Sequence, residues 1–84
     1  MNEVIIPIWN EPTISSENII VIEKQRTFTL SNYYEPGSNQ LEVFFNGLPA
    51  VKDYDYEEIN YNTIRFTFNC EPPDIIGIRI TRAG

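Results

Sequence analysis

Four carboxylates crowd into six positions of this chain, Asp53, Asp55, Glu57 and Glu58 in the stretch KDYDYEEIN. Calcium takes several carboxylate oxygens, so the cluster invites a metal reading. No glycine-punctuated loop frames it, and acids alternating along a strand are ordinarily a solvated face. No metal is therefore expected. Asp53 is expected instead to cap the turn into Tyr54, because aspartate side chains bond backbone N–H groups two residues on. Tyr54 is then a core residue with its hydroxyl at the rim. Glu57 and Glu58 are adjacent and point to opposite faces of a strand, so they do not form a glycosidase pair.

The single cysteine, Cys70, has no imidazole to activate it, because the 84 residues contain no histidine. That absence excludes Ser-His and Cys-His catalysis and zinc sites built on histidine. With no glycine-rich phosphate loop either, the chain is expected to be no enzyme and to carry no cofactor, and Cys70 to be a buried or loop thiol. The net charge is −6, with Lys24, Arg26, Lys52, Arg65, Arg79 and Arg82 as the only cations. Binding nucleic acid or an anionic membrane needs clustered Lys and Arg, so neither is an expected partner.

The elements that position these residues are strands. In QLEVFFNGLPAV, residues 40–51, Leu41, Val43 and Phe45 alternate with Gln40, Glu42 and Phe44, the period of a half-buried strand. Asn46-Gly47 closes it as a two-residue hairpin, since a type I′ turn needs positive φ at both central positions. Pro49 confines the return strand to an edge or a bulge. The same alternation puts Phe28 and Leu30 inward in RTFTLS, Ile64, Phe66 and Phe68 inward in TIRFTF, and Ile76, Ile78 and Ile80 inward in IIGIRIT. Residues 18–23, NIIVIE, form a continuous apolar strand expected to be buried on both faces. Thr13-Ile14-Ser15-Ser16 is expected to be loop. Turns fall at Lys24-Gln25, Pro36-Gly37, residues 60–62 and the Pro72-Pro73 loop.

About seven short strands with turns every 8–12 residues predict a small antiparallel β-sandwich of the immunoglobulin/fibronectin kind. One domain of this length buries roughly 64% of its unfolded surface, enough for a core. A lone cysteine rules out an intrachain disulfide, so stability must come from packing, within the domain or against neighbouring chains. No run reaches the ~18 apolar residues of a membrane span, and the apolar start, broken by Pro7, is not a signal peptide. Residues 1–16 are expected to be an arm or edge strand and residues 17–84 the sandwich.

From residue 27 to residue 80 the chain resembles a β-sandwich module that recurs in structural proteins of tailed bacteriophages, including tail fibres. The shared order is Phe28 and Leu30, Pro36-Gly37, Leu41 and Val43 before Asn46-Gly47, then Asp53-Tyr54. Ile64 and Phe66, the Pro72-Pro73 pair, and Ile76 with Ile78 complete it. Two stretches depart from the pattern: residues 74–77 read Asp-Ile-Ile-Gly where the module has Gly-Asp, and residues 1–22 lie outside it. The resemblance implies a non-catalytic virion protein, made in the host bacterial cytoplasm. Its partners would be itself, as a homo-oligomer, or a larger capsid or tail protein. Capsid decoration, neck, tail and baseplate or fibre attachment all remain open.

Contact residues are expected among side chains that alternation does not send inward. Ile5, Ile6, Ile8 and Trp9 would anchor the arm, Tyr33, Tyr34 and Phe44 would be contact residues, and the outward Phe44 and Ile75 would be either covered by the arm or in contact with another chain. A second reading, a carbohydrate- or host-surface-binding module, would use Tyr33, Tyr34 and Tyr61 to stack on sugar rings. A third is an acidic inhibitor imitating nucleic acid, although the charges are spread rather than banded.

Overall fold

The computed structural model describes residues 13–82, so the expectations for Ile5, Ile6, Ile8 and Trp9 lie outside the described residues. The described chain is all-β, with seven strands and no helix. They are β1 (Thr13–Ile20), β2 (Gln25–Thr29), β3 (Leu41–Phe45), β4 (Leu48–Pro49), β5 (Tyr56–Asn60), β6 (Thr63–Cys70) and β7 (Ile75–Arg82). Two antiparallel sheets form, ordered β1-β7-β3-β4 and β2-β6-β5. Their inner faces meet to give a β-sandwich. The likeness to immunoglobulin and fibronectin domains is one of architecture, because here the first and last strands pair with each other.

The core lies where alternation put it. Leu41, Val43, Ile76, Ile78 and Ile80 come from the larger sheet, and Phe28, Tyr56, Ile64 and Phe66 from the smaller; all are buried. Phe66 sits at the centre, edge-on to Phe28 at 5.8 Å and to Phe68 at 5.3 Å, and 6.0 Å from Phe45 across the sandwich. Asn46 and Gly47 both have positive φ, 51° and 87°, as a type I′ hairpin requires. Pro49 lies in β4, the edge strand beyond β3. Gly37, at φ 80°, follows Pro36 in a turn closed by Ser38 N–H donating to Glu35 O (3.1 Å), the type II arrangement.

Three sequence expectations need correction. Residues 13–16 are not loop but the first half of β1, paired in register with β7 from Thr13↔Arg82 onward. The NIIVIE stretch is not buried on both faces. Val21 is buried and Ile19 partly so, but Ile20 and Ile22 are 63% and 83% exposed. β1 is an edge strand, and a run of isoleucines on an edge has the same sequence signature as one between two layers.

Tyr54, the third, is 70% exposed while Tyr56 is buried. Asp53 adopts a left-handed φ of 65°, which resets the alternation before β5 begins at Tyr56. The turn is held by Asp55 rather than by an Asp53 cap: Val51 N–H donates to Asp55 Oδ2 (2.7 Å), and Asp55 N–H donates to Val51 O (2.7 Å).

Candidate functional site

The outer face of the four-stranded sheet gathers apolar side chains from strands far apart in sequence. Register sets them in rows. Asn18 on β1 stands opposite Gly77 on β7, which stands opposite Phe44 on β3, itself opposite Pro49 on β4. One row along, Ile20 faces Ile75; Ser16, Arg79 and Glu42 make the row on the other side, with Arg79 Nε 3.5 Å from Glu42 Oε1. Ile14 lies beyond, opposite Thr81. Ile14, Ile20 and Ile75 are exposed, and Phe44 is half-buried.

Gly77 gives this face its relief. A Cβ there would come within 3.3 Å of Phe44 Cβ and 3.4 Å of Asn18 Oδ1. The bare backbone instead floors a shallow depression of about 240 Å³ between Ser16, Asn18, Phe44 and Arg79. Phe44 thus lies outward as alternation predicts, with its ring walling a groove.

The tyrosine pair divides. Tyr33 is exposed and packs edge-on against exposed Tyr61, with ring centroids 5.0 Å apart. Tyr34 is not a surface residue. It is buried in the core, and its hydroxyl donates to Thr63 O (3.0 Å). Leu30 N–H to Asn62 O (2.7 Å) and Tyr34 N–H to Tyr61 O (2.9 Å) clamp this loop to the β5–β6 turn and so decide which ring turns in.

The acidic residues are engaged elsewhere. Glu57 Oε1 accepts from Arg65 Nη2 (3.1 Å), and Glu58 Oε1 accepts from Gly37 N–H (2.7 Å) with Lys52 Nζ 3.8 Å away. Together with the bond that Asp55 accepts from Val51, these contacts scatter the carboxylates. Among the described residues no three acids or Cys70 come together as ligands.

No family model, curated protein or solved structure matches this chain.

Burial sets the ionisation of three acids. It pushes the Cys70 thiol up from 9.0 to about 11, with help from the Asp74 carboxylate. The Cys70 thiol is therefore held protonated at neutral pH. Burial and the Glu58 carboxylate raise the Tyr34 and Tyr56 phenols from 10.0 to about 12. Each group holds in the folded state a proton that the unfolded chain releases. Their contribution to stability is complete below the unfolded pKa values and is lost as pH rises through the folded ones. From neutral pH Tm should hold steady up to about pH 9 and fall steeply toward pH 12. A flat Tm over that interval in thermal melts would refute the buried placement of these side chains.

Proposed function

We propose that the chain is a non-enzymatic structural protein of a tailed-phage particle, made in the host cytoplasm and working through contacts with virion proteins or with itself. The observation that carries the reading is the outer sheet face. Ile20, Ile75 and Phe44 lie in adjacent rows of one surface beside the Gly77 groove, and Ile14 lies beyond the polar row of Ser16, Arg79 and Glu42. Contiguous exposed apolar surface is characteristic of interaction sites, whereas scattered single residues are not. Of the residues that carry the resemblance, Asn46-Gly47 make the hairpin turn, and Phe28, Ile64, Phe66, Ile76 and Ile78 lie in the core.

The test uses particles grown from a genome encoding the chain. Gradient-purified virions should contain it at a fixed copy number by quantitative mass spectrometry. Ile75→Lys, which changes only an exposed position, should lower incorporation by about tenfold or more without altering Tm. Purified particles that lack the chain would end this proposal.

A further inference from the structure

Among the described residues four strand edges bound the two sheets, and three of them are poorly suited to taking another strand. β4 is two residues long and contains Pro49. β2 and β5 are five residues each and carry register shifts, with Arg26 on one and Glu57 and Glu58 on the other. Short length, proline, bulges and charge are the devices by which sheets discourage edge-to-edge pairing. β1 has neither short length, proline nor bulge. It runs eight residues in unbroken register with β7 and contains no proline. Its one charge, Glu17, is occupied: Ser31 N–H donates to Oε1 (2.8 Å) and Ser31 Oγ to Oε2 (3.0 Å).

The open backbone groups of β1 can be assigned. Val21 N–H donates to Asp74 O (2.9 Å), extending the β1–β7 ladder by one residue. Hydrogen-bonded pairs alternate along an antiparallel ladder, so residues 13, 15, 17, 19 and 21 turn their backbone toward β7. Ile14, Ser16, Asn18 and Ile20 turn theirs to the open side. These same residues carry their side chains on the outer face.

We propose that β1 pairs antiparallel with β1 of a second copy, about a two-fold axis through Asn18, joining two four-stranded sheets into one of eight. Backbone parity requires even residues to meet even residues, since only they have free groups. A register centred on Glu17 would set two carboxylates directly opposite, which destabilises a pair. Centring on Asn18 removes the clash. Ile14 then meets Ile22, Ser16 meets Ile20, and Glu17 meets Ile19. The most exposed isoleucine, Ile22, is thereby covered by the partner's Ile14. A second copy fits better than an unrelated strand because β1 is self-complementary in this register and brings almost no charge from a chain of net −6. Up to about ten backbone hydrogen bonds would form along the seam.

The pairing deepens the structural-protein reading by naming one partner. It is tested on the purified full chain in solution, so its failure leaves the particle assignment standing, and failure of that assignment leaves the dimer standing. Mass measurement across a concentration series should give twice the 9.8 kDa of the chain. Ser16→Pro removes an N–H that faces the open side, and should weaken self-association at least tenfold with the β1–β7 ladder intact. Asn18→Cys should be bridged to its twin by a short bis-alkylating reagent, since hydrogen-bonded partners lie about 5.5 Å apart. Ser16→Cys should resist bridging, because its twins would be about 14 Å apart. Cys70 is buried and does not compete. A chain that stays at 9.8 kDa throughout overturns the proposal. So does a dimer in which position 18 is bridged no better than position 16.

Discussion

Phe66→Ala should remove about 3–5 kcal/mol, a large share of the domain's stability. Phe66 is 1% exposed and stands at the centre of the aromatic cluster with Phe28, Phe45, Tyr56 and Phe68. Truncating a buried phenylalanine to alanine costs about 3–5 kcal/mol, combining lost transfer energy with the cavity left behind. A domain of this size has about 4–13 kcal/mol in total. The cavity would open between the two sheets, where rigid neighbours on both sides limit collapse. Phe66→Leu keeps most of the volume and should cost about 1.5 kcal/mol or somewhat more, chiefly through lost edge-to-face contacts. Urea unfolding of the three proteins gives the comparison. A loss below about 1.5 kcal/mol for the alanine variant would mean that the sheets close over the gap, contradicting the packing described.

Asn46→Ala is the second large effect, and its cause is different. Asn46 occupies the left-handed region at φ 51°, where a residue with Cβ and no polar tip is strained. Its side chain also ties the β3–β4 hairpin to the loop before β7. Ile75 N–H donates to Asn46 Oδ1 (2.8 Å), and Asn46 Nδ2 donates to Asp74 Oδ1 (3.1 Å). Strain of about 1 kcal/mol and two lost hydrogen bonds of about 0.5–1 kcal/mol each put Asn46→Ala at about 2–3 kcal/mol. Asn46→Gly restores the backbone freedom without the side chain, and should recover about half of that loss. Equal melting temperatures for the two variants would show that backbone strain plays no part.

Asp74 belongs to the same knot. Its carboxyl is held below the usual carboxylate range by the Glu71 N–H and then by the Asn46 amide. A depressed acid stabilises above its unfolded pKa, and the contribution disappears as pH falls through the folded value. The hairpin tie therefore weakens in acid, and the Asn46 variants lose part of that pH dependence along with the bond.

What could be read from the sequence follows from the physics of a one-sided sheet. Leu41 and Val43, Ile64 and Phe66, and Ile76, Ile78 and Ile80 alternate because one face is dry, so period two reveals both strand and core. The Asn46-Gly47 and Pro36-Gly37 turns are legible because few residues satisfy their φ angles. β1 is the opposite case. Its polar half, Thr13 to Glu17, is held as a strand by backbone pairing with β7, which leaves no mark on side-chain type. Asp53 takes a left-handed φ with no glycine to signal it, so the alternation through Tyr54 misleads. Tyr33 and Tyr34 are chemically identical neighbours, and only the clamp to the β5–β6 turn decides between surface and core. The outer face depends on strand order, since Ile20, Phe44 and Ile75 meet only after the chain has crossed between sheets.

β7 is the last of the seven strands and yet lies in the interior of the larger sheet, flanked by β1 on one side and β3 on the other. A nascent chain emerging in order therefore holds β1 and the β3–β4 hairpin with nothing between them until the final strand arrives. Neither half of that sheet can be completed early, and no local contact substitutes for the missing centre. Folding must await the arrival of β7 and then proceed in one cooperative step. Its rate is set by long loop closures, in the millisecond-to-second range of domains built on distant strand pairings.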